Sequence, residues 1–185
     1  MSSIIKEIEF SILTSPDEKR PHWVSLFKVP SANELLVRMK TDDGVEGFGL
    51  ATSYTDITPL VNAVKGGFQD EILGMDALSP ERLYEKLFSL TYSRKAAENK
   101  WGREALIRIS SAVDIACWDI LGKIANLPLY RLFGGYRNKV PCYVTCAYYR
   151  DGKDNIELRD EIQMLVEQGH KGFKGKVGGL SLKED

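Results

Sequence analysis

The sequence predicts an α+β domain, an antiparallel sheet followed by helices, leading into the start of a parallel βαβ sheet or barrel. Three observations predict it. Alternating apolar and polar residues, with a tight turn between two such runs, dominate the stretch from Ile4 to Leu50. Helical periodicity then takes over and is longest from Arg103 to Ile124. After Gly134-Gly135 the pattern becomes strand, helix, strand, which is the unit of a parallel sheet.

Ile4 to Leu13 alternates as a first strand, and Thr14 to Pro21, with two prolines and several charges, reads as a loop. Trp23 to Val29 resumes strand character. Glu34 to Lys40 and Val45 to Leu50 flank Thr41-Asp42-Asp43-Gly44, whose Asp-Gly pair is a hairpin signal. Three antiparallel strands are expected here. Ile57 to Phe68 is apolar at helical spacing. Ser79-Pro80-Glu81 opens a helix running to about Ser93, with Ser as N-cap and Pro in the first helical position. Arg103 to Ile124 carries a broad buried stripe through Ala105, Ile109, Ala112, Val113, Ala116, Cys117, Ile120 and Leu121. Pro128 to Leu132 forms a short turn or helix, stopped by Gly134-Gly135. Val140 to Tyr149 reads as a strand, Ile156 to Gln168 as a helix and Gly172 to Val177 as a strand. The expected domains are 1–135 and 136–185.

Composition excludes several classes. The 185 residues carry 25 basic and 26 acidic side chains for a net charge of -1, which favours neither nucleic acid nor a disordered acidic tail. No apolar run approaches the roughly 18 residues of a membrane span. The N-terminus lacks the apolar stretch of a signal peptide. Cys117, Cys142 and Cys146 form no C-x-x-C pair; they read as free thiols of a cytoplasmic protein, with no metal role.

Lys174-Gly175-Lys176 is the most informative local feature. In a strand, residues two apart point to the same side, so both ammonium groups would project together. Like charges held close disfavour protonation, and a neutral lysine can remove a proton from carbon beside a carboxylate. The same pattern alone also describes two solvated edge-strand lysines; its surroundings decide between these readings.

Those surroundings are specific. Ser111-Ala112-Val113-Asp114-Ile115-Ala116-Cys117-Trp118-Asp119-Ile120-Leu121-Gly122-Lys123, then Leu127-Pro128-Leu129-Tyr130 and Leu132-Phe133-Gly134-Gly135, closely resemble the signature of the mandelate racemase and muconate lactonizing enzyme group of the enolase superfamily. Gly44-Val45-Glu46-Gly47-Phe48-Gly49 resembles the group's N-terminal hairpin, and Lys174-Gly175-Lys176 falls at the matching place downstream.

The resemblance implies an α+β capping domain followed by the start of a (β/α)7β TIM-like barrel, with chemistry at the strand ends. It implies a homo-oligomeric enzyme in which Mg²⁺ stabilises an enolate formed by removing the proton alpha to a small-molecule carboxylate; a lysine base with Mg²⁺ is the general pattern of this superfamily. Lys176 matches the proton-abstracting lysine, and Lys174 the neighbour that tunes it and approaches the carboxylate. Thr145 matches a position that touches substrate, and equally reads as a strand hydroxyl bonded to backbone. Thr14 to His22, with Lys19, Arg20 and His22, matches the first specificity loop. Thr52 to Asp56, with Tyr54, matches the second. Both also read as ordinary polar connections. His170, just past a helix end, and Asp114, Trp118 and Asp119 on the signature helix read as structural, with Trp118 in the core.

The group's acidic metal ligands lie on later barrel strands, so ligands for Mg²⁺ are expected beyond Asp185. Two readings follow. One is the N-terminal portion of an enzyme, an acid-sugar dehydratase by preference given the charged first loop, or a racemase or cycloisomerase. The other is a truncated, non-catalytic homologue acting as an assembly or interaction module.

Overall fold

The computed structural model describes residues 2–53 and 56–185. In chain order the elements are β1 (Ile5–Thr14), β2 (His22–Trp23), β3 (Lys28–Val29), β4 (Asn33–Thr41), β5 (Glu46–Ser53), α1 (Thr58–Lys65), α2 (Pro80–Leu90), α3 (Arg94–Glu98), α4 (Arg103–Ala125), α5 (Leu129–Leu132), β6 (Val144–Thr145), β7 (Tyr149–Arg150), α6 (Asn155–Glu167) and β8 (Phe173–Lys174). They form two compact units. The first comprises Met1–Thr14 and Asn33–Asn138, the second Ser15–Ala32 and Lys139–Asp185.

The first unit is built on the antiparallel sheet β1-β4-β5. The expected hairpin joins β4 to β5: Gly44 takes φ +83°, and its N–H donates to the Thr41 carbonyl at 3.0 Å. One sheet face supplies Leu35, Val37 and Met39 to the core, alternating with half-buried Leu36 and Arg38 as a period of two demands. α4 covers that face. Its buried residues include Leu106, Ile109, Val113, Cys117 and Ile120, and each large apolar side chain removed from water contributes about 1.5–3 kcal/mol.

The close approach of α4 to β5 depends on glycine. A Cβ at Gly49 would lie 1.9 Å from the Ala112 carbonyl oxygen, and one at Gly47 would lie 2.2 Å from that of Ala116. Small residues on both sides let helix and strand backbones meet. Asp119 adds a polar tie, accepting from the Phe48 N–H at 3.0 Å and from Lys123 Nζ at 2.7 Å. α4 ends at Asn126, left-handed at φ 51°, where the Leu127 N–H reaches back to the Gly122 carbonyl at 3.0 Å.

Several helices differ from expectation. Gly67, at φ +91°, splits the first helical stretch into α1 and a single 3₁₀ turn at Phe68–Glu71. α2 stops at Leu90, and the Ser93 hydroxyl caps a separate helix, α3, by accepting from the Ala96 N–H at 3.1 Å. Ser79 is the N-cap of α2 without a side-chain capping bond. Trp118 is half-buried rather than core, its ring set edge-on to Phe133 at 4.7 Å.

In the second unit, β6 and β8 pair in parallel, Val144 with Phe173 and Thr145 with Lys174, with α6 between them in sequence. This is the expected βαβ unit. Its strands are shorter than their sequence patterns, because a ladder extends only where a partner backbone lies alongside. The Trp23–Val29 stretch is not one strand either. It turns back on itself as β2 and β3, and β2 also pairs with β7, His22 with Arg150 and Trp23 with Tyr149. That long-range pairing places Ser15–Ala32 with the C-terminal residues, whereas the sequence reading kept it with residues 1–135.

Candidate active site

The second unit contains a cleft of about 290 Å³, close to the lower end for small-molecule sites. Trp23, Tyr148 and Tyr149 give it aromatic surface, and Lys176 contributes an ammonium group. Asp151, Asp154, Glu184 and Asp185 also line it, opposed by Arg150 and Lys153.

The segment after β6 sets the geometry. Ala147 is left-handed at φ 54°, a conformation that costs a residue with a Cβ about 1–2 kcal/mol. Two contacts offset that cost. The Ala147 N–H donates to Glu161 Oε1 at 3.1 Å, and Lys153 Nζ donates to the Tyr148 carbonyl at 3.1 Å. Lys153 and Glu161 also pair with each other, and the Lys153 side chain is only 9% exposed. Burial works against the charge on Glu161, but the hydrogen bonds from Lys153 and Ala147 outweigh it and hold the carboxyl below the usual carboxylate range. α6 is anchored at its start by Asp154, which accepts from the Ile156 and Glu157 N–H groups at 3.0 and 2.8 Å.

Side chains after this turn dock the loop Ser15–Ala32. Trp23 stacks on Tyr149, with ring centroids 4.4 Å apart and planes 22° apart. Lys28 Nζ lies 2.6 Å from Asp151 Oδ2. The Arg20 guanidinium spans both Glu157 carboxylate oxygens and the Asp151 carbonyl.

The site residues expected from sequence fall in different places. Lys176 is half-buried in the cleft, its Nζ 5.0 Å from the Tyr148 ring centroid. Lys174 is exposed and is not among the cleft's lining residues; its carbonyl accepts from the Cys146 N–H at 3.0 Å. The ladder ends at Lys174, so regular strand geometry does not continue to Lys176. Thr145 is exposed at the end of β6. Lys19 is exposed. Arg20 is engaged by Glu157. His22 Nδ1 lies 3.3 Å from Glu18 Oε1, and its ring meets Tyr148 edge-on at 4.7 Å. Tyr54 lies outside the described residues. His170 is exposed beyond α6, its N–H on the Leu165 carbonyl at 3.2 Å.

Sequence reasoning missed Trp23, Tyr148, Tyr149 and the Lys153–Glu161 pair. The available signal was the Tyr148-Tyr149 doublet at the end of a predicted strand, where barrel sites gather.

Against known proteins, the sequence profile of the mandelate racemase/muconate lactonizing enzyme N-terminal domain matches residues 7–134. The chain belongs to the mandelate racemase/muconate lactonizing enzyme family. It is 35% identical over 148 residues to an arabinonate dehydratase from Saccharolobus solfataricus, covering 80% of this chain and 38% of that enzyme. It is 31% identical over 180 residues to an L-Ala-D/L-Glu epimerase from Clostridium acetobutylicum, covering 95% of this chain and 46% of the epimerase. Among solved structures, the L-talarate/galactarate dehydratase of Salmonella typhimurium LT2, liganded with Mg and L-lyxarohydroxamate, superposes with a TM-score of 0.82 at 25% identity, over 100% of this chain and 46% of that one. The chain thus spans less than half the length of these relatives. The capping-domain fold of the family is present in the first unit: the three-stranded antiparallel sheet with its helices.

Mg²⁺ prefers oxygen ligands in near-octahedral array. Among the described residues no group of three or more His, Cys, Asp or Glu side chains could hold a metal ion, so these residues do not fit the cation. Among them, too, no helix is long and apolar enough to cross a membrane.

Proposed function

We propose that this chain is the N-terminal portion of a Mg²⁺-dependent enolase-superfamily enzyme that removes the α-proton of a small-molecule carboxylate, with Lys176 as the base. The observation that carries the proposal is the place of Lys176: a lysine from the family's motif lies in the wall of a ligand-sized cleft, beside aromatic surface. The Lys176 Nζ lone pair takes the proton from the α-carbon, leaving an ammonium group, and the C–H bonding pair passes into the enolate. In a dehydration, that pair expels the β-hydroxyl as hydroxide, which takes up a proton and leaves as water; in an epimerisation, a second acid, expected after Asp185, returns a proton to the opposite face of the α-carbon.

Acid-sugar dehydration is the favoured subclass. Its support comes from the arabinonate dehydratase and from a D-galactonate dehydratase family member of Paenibacillus, 31% identical over 147 residues. The charged loop Thr14 to His22 supports it less than its composition suggested, because Arg20 is bound to Glu157. Lys174 remains the proposed catalytic neighbour of Lys176, and Thr145, Lys19, Arg20, His22 and Tyr54 the proposed substrate-binding residues. Mg²⁺ ligands are expected after Asp185, and a cytoplasmic homo-oligomer is the expected state.

The test is solvent deuterium exchange at the substrate α-carbon, measured in the complete protein. Lys176→Ala is expected to abolish it, and exchange at the parent rate would refute the assignment. A chelator is expected to remove turnover, and added Mg²⁺ to restore it.

A further inference from the structure

The proposed base makes its described aromatic contact with one side chain, and that side chain is unusually constrained. Lys176 Nζ lies 5.0 Å from the centroid of the Tyr148 ring, within the range of a cation–aromatic attraction. The His22 ring meets the same ring edge-on at 4.7 Å and 65°. Tyr148 therefore touches both the base and a residue of the first specificity loop.

The backbone at Tyr148 has little freedom. Its carbonyl accepts from Lys153 Nζ. The preceding residue, Ala147, is held left-handed by its bond to Glu161. Lys153 and Glu161 close this circuit by pairing with each other. The following residue, Tyr149, pairs with Trp23 across the β2–β7 ladder and stacks on the Trp23 ring. With its backbone held on both sides, Tyr148 has its ring placed between His22 and Lys176.

We propose that Tyr148 is a positioning residue: its ring sets where the Lys176 Nζ rests and relays the seating of the loop Ser15–Ala32, through His22, to the base. This rests on the reading of Lys176 as the base. The ring, not the hydroxyl, makes both contacts, so the aromatic face is the part that matters. A long, flexible lysine without it samples more positions, and a proton transfer is sensitive to displacements of about 1 Å.

Two measurements on the complete protein test this. The first is the NMR shift of the Lys176 ε-methylene group. It is expected upfield of ordinary lysine, retained in Tyr148→Phe and lost in Tyr148→Leu. Ordinary lysine shifts in the parent protein would overturn the proposal, even if Tyr148→Leu did not fold. The second is kinetics. Tyr148→Leu is expected to lower kcat about 10- to 100-fold with KM within about 3-fold, while Tyr148→Phe recovers most of the rate. A Tyr148→Leu enzyme with parental kcat would overturn it, as would a loss that Tyr148→Phe shares. Retained exchange in Lys176→Ala would overturn the base assignment and with it the relay to the base, an outcome told apart from failure of the Tyr148–Lys176 contact because the methylene shift reports that contact regardless of chemistry.

Discussion

Arg20 donates to both carboxylate oxygens of Glu157, at 3.1 and 2.9 Å, across a sequence separation of 137 residues. Such a two-pronged pair fixes orientation as well as distance. It lies near the surface, so its contribution is screened by salt. Glu157→Gln is expected to leave global unfolding nearly unchanged while loosening the loop Ser15–Ala32. Limited proteolysis reads this directly: cleavage within the loop should accelerate in the variant, and in the parent at high salt. Equal cleavage rates would mean that the Trp23–Tyr149 stack and the β2–β7 ladder hold the loop unaided.

Glu161 gives a pH dependence with a definite sign. Its carboxyl is held below the usual range in the folded state, so its stabilisation is fully present above the unfolded value near 4.5. It is lost as pH falls through the lower folded value. Hydrogen exchange at the Ala147 amide, compared at pH 7 and at acid pH, should show protection falling on acidification in the parent after correction for intrinsic rates. Glu161→Gln should start lower and respond less.

Gly49→Ala tests the approach of α4 to β5. The added methyl would meet the Ala112 carbonyl oxygen, a backbone atom that cannot swing aside. Destabilisation of about 3 kcal/mol or more is expected from urea unfolding, at the upper end for overpacking. A loss below about 1 kcal/mol would show that helix and strand separate easily.

The cysteines should differ in reactivity. Burial, followed by the charges of Asp114 and Asp76, pushes the Cys117 thiol up to about 12, and its side chain is buried. Cys146 is also buried, whereas Cys142 is exposed. Alkylation of the native 185-residue chain followed by peptide mapping should label Cys142 first. Early labelling of Cys117 would contradict the packing of α4.

The first unit was legible in sequence because its signals are local. Asp43-Gly44 specifies its turn within a few residues, and the stripe on α4 needs only a regular helix and one apolar neighbour. Gly47 and Gly49 read only as part of a family hairpin, since their reason is a helix far along the chain. The second unit was less legible for the same reason. Nothing near Trp23 in sequence announces that its partner is Tyr149, or that β2 turns into β3. The Lys174–Lys176 pattern falls in a segment that supplies Lys176 to the cleft, but the same-side inference assumes a strand that ends at Lys174. Arg20 reads in sequence as a residue of the first specificity loop, and nothing local ties it to Glu157, 137 positions away.

The chain leaves the sheet at Thr14 and re-enters it at Asn33, and these two residues face each other in the β1–β4 register, their side chains 3.0 Å apart. The two ends of the excursion are therefore joined by the register of the sheet itself. Such an arrangement separates inheritance of the scaffold from change in the insert. Exchange of Ser15–Ala32 for the matching segment of a relative is expected to leave the β1–β4 pairing in place. A chimaera carrying another family member's insert should therefore keep its sheet, and slow amide exchange in β1 and β4 would show it.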